Sequence, residues 1–213
     1  MEPVKRRPYD ASRRRAQAGR TRQAILDAAR HRFLDEGYGA TTIASIARAA
    51  DSSPDTIYKT FGGKAGLLRA LCEDALHGSE PEPAEQRSDA MQAAASDPRA
   101  LLRGLGTLTT EIAPRIAPLL LLLATAADTD PSLARLRADL DQARLVRMTH
   151  VAQTLAATTP LRPGVSLRDA AEIMWTYSSP ELYRLLVVDR GWSPEQYGQF
   201  VGTSLVDALL GPA

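Results

Sequence analysis

The stretch Thr41–Lys64, TTIASIARAADSSPDTIYKTFGGK, decides how this chain is read. It holds two short apolar patterns separated by a break. Ile43, Ile46, Ala47 and Ala50 recur at i, i+3, i+4 and i+7, one face of an α-helix, and Thr41 or Thr42 stands where a cap belongs. Ser53 and Pro54 repeat the start signal, a capping hydroxyl followed by proline at the first helical position. Ile57 and Phe61 at i and i+4 are expected to face inward, which leaves Asp55, Thr56, Tyr58, Lys59 and Thr60 outward. Gly62-Gly63 then separates this short helix from a longer one. Two acids, Asp51 and Asp55, flank its start, so the stretch is either a helix that reads a polyanion or a surface turn.

The flanking sequence narrows the choice. Upstream, Ile25, Ala29 and Phe33 repeat at i, i+4 and i+8, and the pattern stops at Gly37. Downstream, Leu67, Leu68, Leu71, Ala75 and Leu76 predict a longer helix. Three helices within about fifty residues, the last two separated by AADSS, are what a helix-turn-helix requires. One helix braces against the DNA backbone and the next offers its N-terminal residues to the major groove.

Charge supports a nucleic-acid module at this end. The 213 residues carry a net charge of only +1. Residues 1–64 hold 13 Lys+Arg against 7 Asp+Glu, and the remainder holds 13 against 18. A basic third joined to an acidic remainder fits a DNA-binding head on a body with another task. Cys72 is the single cysteine, so no intrachain disulfide forms and a reducing compartment fits. The Arg-rich start shows no apolar signal segment, and the expected location is the cytoplasm. The longest aliphatic run, Leu119–Ala124, is too short to span a bilayer, so no membrane partner is expected.

Beyond the head, one signature recurs. Asp97-Pro98, Asp130-Pro131, Ser179-Pro180 and Ser193-Pro194 each place a capping residue before proline, and Ser166 precedes another helical pattern with Asp169 in its first turn. Pro114 and Pro118 are expected to break one helix and start the next. Residues 77–96 read as a loop with a possible short helix. No segment alternates with period two, so the chain is expected to be all-α, with nine or ten helices. The expected divisions are a basic disordered arm over 1–20, a helix-turn-helix domain over 21–66 and a helical domain over 67–213.

Enzyme signatures are missing from the sequence. It has no Gly-x-Ser-x-Gly, Walker loop or dinucleotide fingerprint, and His31, His77 and His150 make no spaced metal set with one cysteine. No enzyme, metal or cofactor is expected.

Residues 21–68 resemble the DNA-binding domain of the tetracycline-repressor (TetR) family. The resemblance rests on Ile25-Leu26, Ala28-Ala29, Phe33, Gly37-Tyr38, Thr41-Thr42-Ile43, Ile46-Ala47, Ala50, Ser53, Thr56-Ile57-Tyr58, Phe61, Lys64 and Leu67-Leu68. It implies a homodimeric transcriptional regulator, most often a repressor, bound to a palindromic operator in double-stranded DNA. It also implies a C-terminal helical domain that dimerises and holds a small-molecule effector. The chain departs from the family in the turn, where Asp51-Ser52 replaces the usual Gly-Val. Asp tolerates positive φ better than most residues, so the turn can still form.

Residue roles follow from this likeness and from helix geometry. Thr42, Ser53 and Pro54 cap or open helices, where hydroxyls and backbone N–H groups also suit phosphate. The family match puts Tyr58 and Lys64 on phosphate. Lys59 can reach phosphate or a base edge, while Asp55 and Thr56 face the groove, suited to cytosine N4 and a thymine methyl. Arg13, Arg14, Arg15 and Arg20 can follow the backbone or enter the minor groove. In the body, Ala170, Ile173, Met174 and Tyr177 form one stripe, and Tyr197, Phe200, Val201 and Leu205 another; each is either dimer interface or monomer core. Leu120, Leu123, Met148, Val151, Trp175 and Tyr183 are candidate pocket residues, with Arg147 and His150 as polar members. Two further readings are a scaffold or ligand-binding protein whose head has lost DNA specificity, and an activator.

Overall fold

The computed structural model describes residues 11–78, 82–95 and 97–210; the side chains of residues 11–13 and 84 are outside that description. Among the described residues there are ten α-helices, one π-helical stretch and no strand. The chain divides into two compact units, Met1–Ala70 and Leu71–Ala213, with the division inside a helix.

The first unit contains α1 (Ala11–Glu36), α2 (Ile43–Ala49), α3 (Pro54–Phe61) and the start of α4 (Lys64–His77). The helices α2 and α3 are too short to persist alone, so caps and packing must hold them. Ile25, Leu26, Ala29 and Phe33 of α1 close over Ile46 and Ala47 of α2, Ile57 of α3, and Leu67 and Leu68 of α4, all buried. Phe61 differs from expectation: it is half-exposed, with the Arg22 guanidinium 5.3 Å from its ring centroid. The arm differs too. Helix α1 already runs from Ala11, so residues 11–20, expected as disordered, form its first turns. Arg and Ala are strong helix formers and dominate this segment. Residues 1–10 of the expected arm lie outside the described residues.

The second unit adds α5 (Ala84–Ala94), α6 (Pro98–Ala127), α7 (Pro131–Thr158), α8 (Leu167–Tyr177), α9 (Pro180–Tyr183) and α10 (Pro194–Leu209); α9 continues into a π-helical stretch, Arg184–Val188. The caps form as their residue types dictate. Asp97, Asp130, Ser166, Ser179 and Ser193 each accept a backbone N–H of the helix they open, and Ser193 makes a capping box with Gln196.

The break expected at Pro114 and Pro118 does not occur, for α6 runs through both. Each proline removes a helix hydrogen bond and crowds the preceding turn, at about 3 kcal/mol. Packing along the helix offsets this: Leu101, Leu102 and Leu105 are buried before the prolines, Ile116 and Ala117 between them, and Leu119 and Leu123 after them. The merged helix is, by length and composition, the one described helix that could cross a membrane. Its buried leucines and its pairing of Glu111 with Arg87 instead make it the central helix of the unit.

Helix α10 crosses α6 backbone to backbone. A Cβ on Gly106 would lie 2.3 Å from the Gly198 carbonyl oxygen and 2.8 Å from the Gly202 Cα. This close approach presses the inner face of α10 into the core. Tyr197, Val201 and Leu205 are buried at 1–3% exposure, as are Ala170 and Met174 of α8 at 0–1%. These five candidates for a dimer interface therefore belong to the monomer core, unreachable by a partner. Ile173, Tyr177 and Phe200 remain half-exposed.

Candidate functional site

The head presents α3 through a turn of defined geometry. Asp51 has φ +46°, in the left-handed region. The Ser52 N–H donates to the Ala47 carbonyl at 2.9 Å and the Asp51 N–H to the Arg48 carbonyl at 3.4 Å, the paired bonds of a Schellman motif. Asp51 thus occupies the position usually taken by glycine, as its tolerance of positive φ allows. At its far end α3 is closed by Gly62, with φ +76°, whose N–H reaches the Tyr58 carbonyl.

Within this frame the expected DNA residues take up distinct positions. Thr42 caps α2 in a box with Ser45, while Thr41 is buried and its hydroxyl lies 2.8 Å from the Gly37 carbonyl. The Ser53 side chain accepts the Thr56 N–H at 3.1 Å and lies 2.9 Å from the Thr56 hydroxyl, so Thr56 is half-committed to the cap. Pro54 carries no N–H, which leaves the Asp55 N–H as the first-turn donor at the start of α3. Asp55, Lys59 and Thr60 are exposed, and Tyr58 is 56% exposed. Arg14, Arg15 and Arg20 lie exposed on the leading turns of α1; the side chain of Arg13 is outside the described residues.

Lys64 stands apart from this set. Its ammonium donates to the Tyr38 carbonyl at 2.6 Å and the Thr41 carbonyl at 2.9 Å, and sits 4.3 Å from the Tyr38 ring centroid. It fastens the start of α4 to the loop between α1 and α2. Any phosphate contact by Lys64, as expected from the resemblance, would be made alongside these bonds.

The second unit encloses a cavity of about 560 Å³. Its walls are mainly aliphatic: Leu105, Leu108, Ile112, Ile116 and Leu120 from α6, Leu140 and Met148 from α7, and Met174 from α8. Of the candidates named from sequence, Leu120, Arg147, Met148 and Tyr183 line it. Leu123 and Val151 are fully buried core, Trp175 lies beneath the Arg144 guanidinium, and His150 is on the outer face of α7, 4.0 Å from Asp89. Arg147 is tied to α5, 2.7 Å from Asp89 and 3.6 Å from Glu85. The Asp89 carboxyl is held below its ordinary pKa, chiefly by the hydrogen bond from Arg147.

Sequence reasoning passed over Arg144, the most enclosed cation on the cavity wall. Its guanidinium stacks 4.3 Å from the Trp175 ring centroid, donates to the Trp175 carbonyl at 2.8 Å, and meets Asp141 at 3.2 Å. Burial pulls the Arg144 pKa down from its ordinary value, opposed by the bond to Asp141. Its i−3 pairing with Asp141 resembles an ordinary surface ion pair, and Trp175, which encloses it, lies 31 residues away on α8.

Comparison with known proteins agrees with both halves. Residues 25–71 match the family model for bacterial regulatory proteins of the tetR family. AlkX, an HTH-type transcriptional regulator of Mycobacterium tuberculosis, is 43% identical over 71 residues, 32% of this chain and 31% of AlkX. The match thus spans about a third of that relative. The fold of NalD, the secondary repressor of the MexAB-OprM multidrug efflux pump in Pseudomonas aeruginosa, is similar with a TM-score of 0.68 at 24% identity, covering 91% of this chain and 98% of NalD. SmeT in complex with triclosan gives a TM-score of 0.70 at 20% identity, covering 89% and 91% of the two chains. The head, residues 25–71, thus matches the tetR family of bacterial regulatory proteins, and the chain shares the fold of these regulators over about nine-tenths of its length.

Proposed function

We propose that this protein is a sequence-specific DNA-binding repressor that acts as a homodimer in the cytoplasm and releases its operator when a small molecule fills the cavity. The observation that carries the reading is the presentation of α3. The helix is capped at both ends, held by Ile57 in the core, and exposes Asp55, Tyr58, Lys59 and Thr60 on one outward surface. Affinity comes from Tyr58, Lys59, the Asp55 N–H, the hydroxyls of Ser53 and Thr42, and Arg14, Arg15 and Arg20 on α1. Discrimination comes from Asp55 and from the Thr56 methyl. A palindromic operator follows from a twofold dimer, with the recognition helices about one DNA turn apart, roughly 34–36 Å.

The dimer surface in this reading uses what the core leaves outside. Tyr177 and Ile173 of α8 and Phe200 of α10 are half-exposed, and Phe200 packs edge-on to Tyr177 and Trp192 at 6.1 and 5.6 Å. An aromatic patch of this kind suits an isologous contact. Helix α4 supports coupling between ligand and DNA. It carries Lys64 at its first position and His77, a cavity residue, at its last. The triclosan bound by SmeT and the repressor role of NalD support the effector and repressor parts by analogy of fold.

The test is fluorescence anisotropy of the purified protein with DNA from upstream of its own coding sequence, across a salt series. Tight, selective binding that weakens steeply with salt is expected. Equal affinity for that DNA and for scrambled DNA would overturn the proposal.

A further inference from the structure

The polar groups of the cavity gather unevenly, and at one end they have bonding capacity left over. Tyr183 lines the cavity at only 7% exposure, its ring edge-on to Tyr197 with centroids 5.4 Å apart. The neighbouring Tyr197 hydroxyl donates to the Tyr177 carbonyl at 3.1 Å. The Tyr183 hydroxyl, by contrast, makes no hydrogen bond among the described residues. A hydroxyl that lines the cavity with no protein partner is a candidate for ligand contact.

Arg144 lies at the same α7–α8–α9 end. It reaches the Trp175 carbonyl and Asp141, while its Nε–H has no acceptor among the described residues. Asp141 is shared: Arg137 approaches it at 3.8 Å and Arg144 at 3.2 Å, two guanidiniums on one carboxylate. Glu181 is exposed and acts on Arg144 only through space. The acids at the opposite end do not compete for it, since Glu85 pairs with Arg147 and Glu73 is exposed on α4.

The remaining lining disfavours a cationic ligand. A cationic ligand wants an aromatic cage, and Tyr183 is the only Phe, Tyr or Trp among the described lining residues; of the lining acids, Asp141 and Glu85 pair with arginines and Glu73 is exposed. The apolar walls favour a ligand that is mostly hydrocarbon. A planar acceptor with negative charge matches an arginine fork, and a phenol adds a second donor.

We infer that the cavity binds an apolar monocarboxylate, a hydrocarbon chain ending in one carboxylate, with the carboxylate held by Arg144 and the Tyr183 hydroxyl. This rests on the effector reading above, and the experiment separates the two. The full chain is loaded with N-phenyl-1-naphthylamine, a neutral apolar fluorophore, and titrated with sodium decanoate, methyl decanoate, decan-1-ol and decylammonium chloride. Decanoate displaces the dye at a concentration at least about tenfold lower than its ester or alcohol, as a charge-assisted hydrogen bond implies. Tyr183→Phe keeps dye binding and weakens decanoate by roughly tenfold, with little change for the ester. Arg144→Gln abolishes the preference for decanoate; should that variant fail to fold, Tyr183→Phe decides alone. Displacement by methyl decanoate as readily as by decanoate, or preferred displacement by decylammonium, would overturn the carboxylate assignment and leave the effector cavity standing. A dye that does not bind would overturn the effector reading itself, and this inference with it.

Discussion

The Lys64 ammonium lies 2.6 Å from the Tyr38 carbonyl oxygen and 4.3 Å from the centroid of the Tyr38 ring. Together with the Thr41 carbonyl this makes Lys64 a fastening within the head. Lys64→Met should therefore lower the stability of the head by about 2 kcal/mol, the scale of a hydrogen bond to a charged group. Urea denaturation followed by circular dichroism measures it. A variant with unchanged stability and weakened DNA binding would return Lys64 to the phosphate-contact set.

Asp51 bears a left-handed backbone conformation inside the Schellman turn. Glycine carries no side-chain penalty there, so Asp51→Gly should be neutral or stabilise by up to about 1 kcal/mol. Asp51→Val should destabilise by about 1–2 kcal/mol, because a β-branched residue resists positive φ. Thermal midpoints of the pair give the comparison, and equal midpoints would show that the turn relaxes without cost.

On α3, Tyr58 and Lys59 are assigned to phosphate and Asp55 to the groove. Tyr58→Phe and Lys59→Ala should weaken binding alike on all operator variants, and Lys59→Ala should lower the salt slope by about one. Asp55→Ala should instead redistribute preference among operators changed at one base pair. Anisotropy titrations over a panel of single-base variants distinguish them. A uniform loss from Asp55→Ala would remove it from the groove.

How much of this could be read in the sequence differs between the units. The head is local: its helices, caps and turn lie within about fifty residues, so periodicity and capping chemistry place Ile46, Ile57, Ser53 and Asp51 correctly. The role of Lys64 was hidden because its partners are loop carbonyls 23 and 26 residues away. In the body, cap signals located the helix starts, whereas Pro114 and Pro118 misled, since tertiary burial outweighs a local proline penalty. The stripes on α8 and α10 show that a face is apolar and not what covers it, and Val201 and Leu205 turned out to be core. Cavity walls assembled from seven helices leave no local signature, which is why Arg144 went unnoticed.

The crossing of α6 and α10 leaves no room for a side chain at Gly198. A Cβ there would fall 2.0 Å from the Thr110 Oγ1 and 2.5 Å from the Gly106 carbonyl oxygen. The hydroxyl can rotate away, but the backbone oxygen cannot. Gly198→Ala should therefore force the helices apart and cost about 1–3 kcal/mol, the range for overpacking. A calorimetric midpoint matching the parent would mean that the crossing yields.

Phe200 gives the sharpest test of assembly. It sits on the outward side of α10, half-exposed, in contact with Tyr177 and Trp192 but away from the sealed α6 crossing. A charge at this position meets water in the monomer, so Phe200→Glu should leave the fold and its helical circular dichroism intact. In an isologous dimer the same charge would meet its own symmetry-related region, desolvated and without a partner cation, at a cost of several kcal/mol. Sedimentation equilibrium should show the parent as a dimer at micromolar concentration and the variant as a monomer. DNA affinity should collapse with it, because one head grips half an operator. A variant that remains dimeric would move the interface off this aromatic patch, and the exposed Leu185 and Val188 would be the next positions to charge.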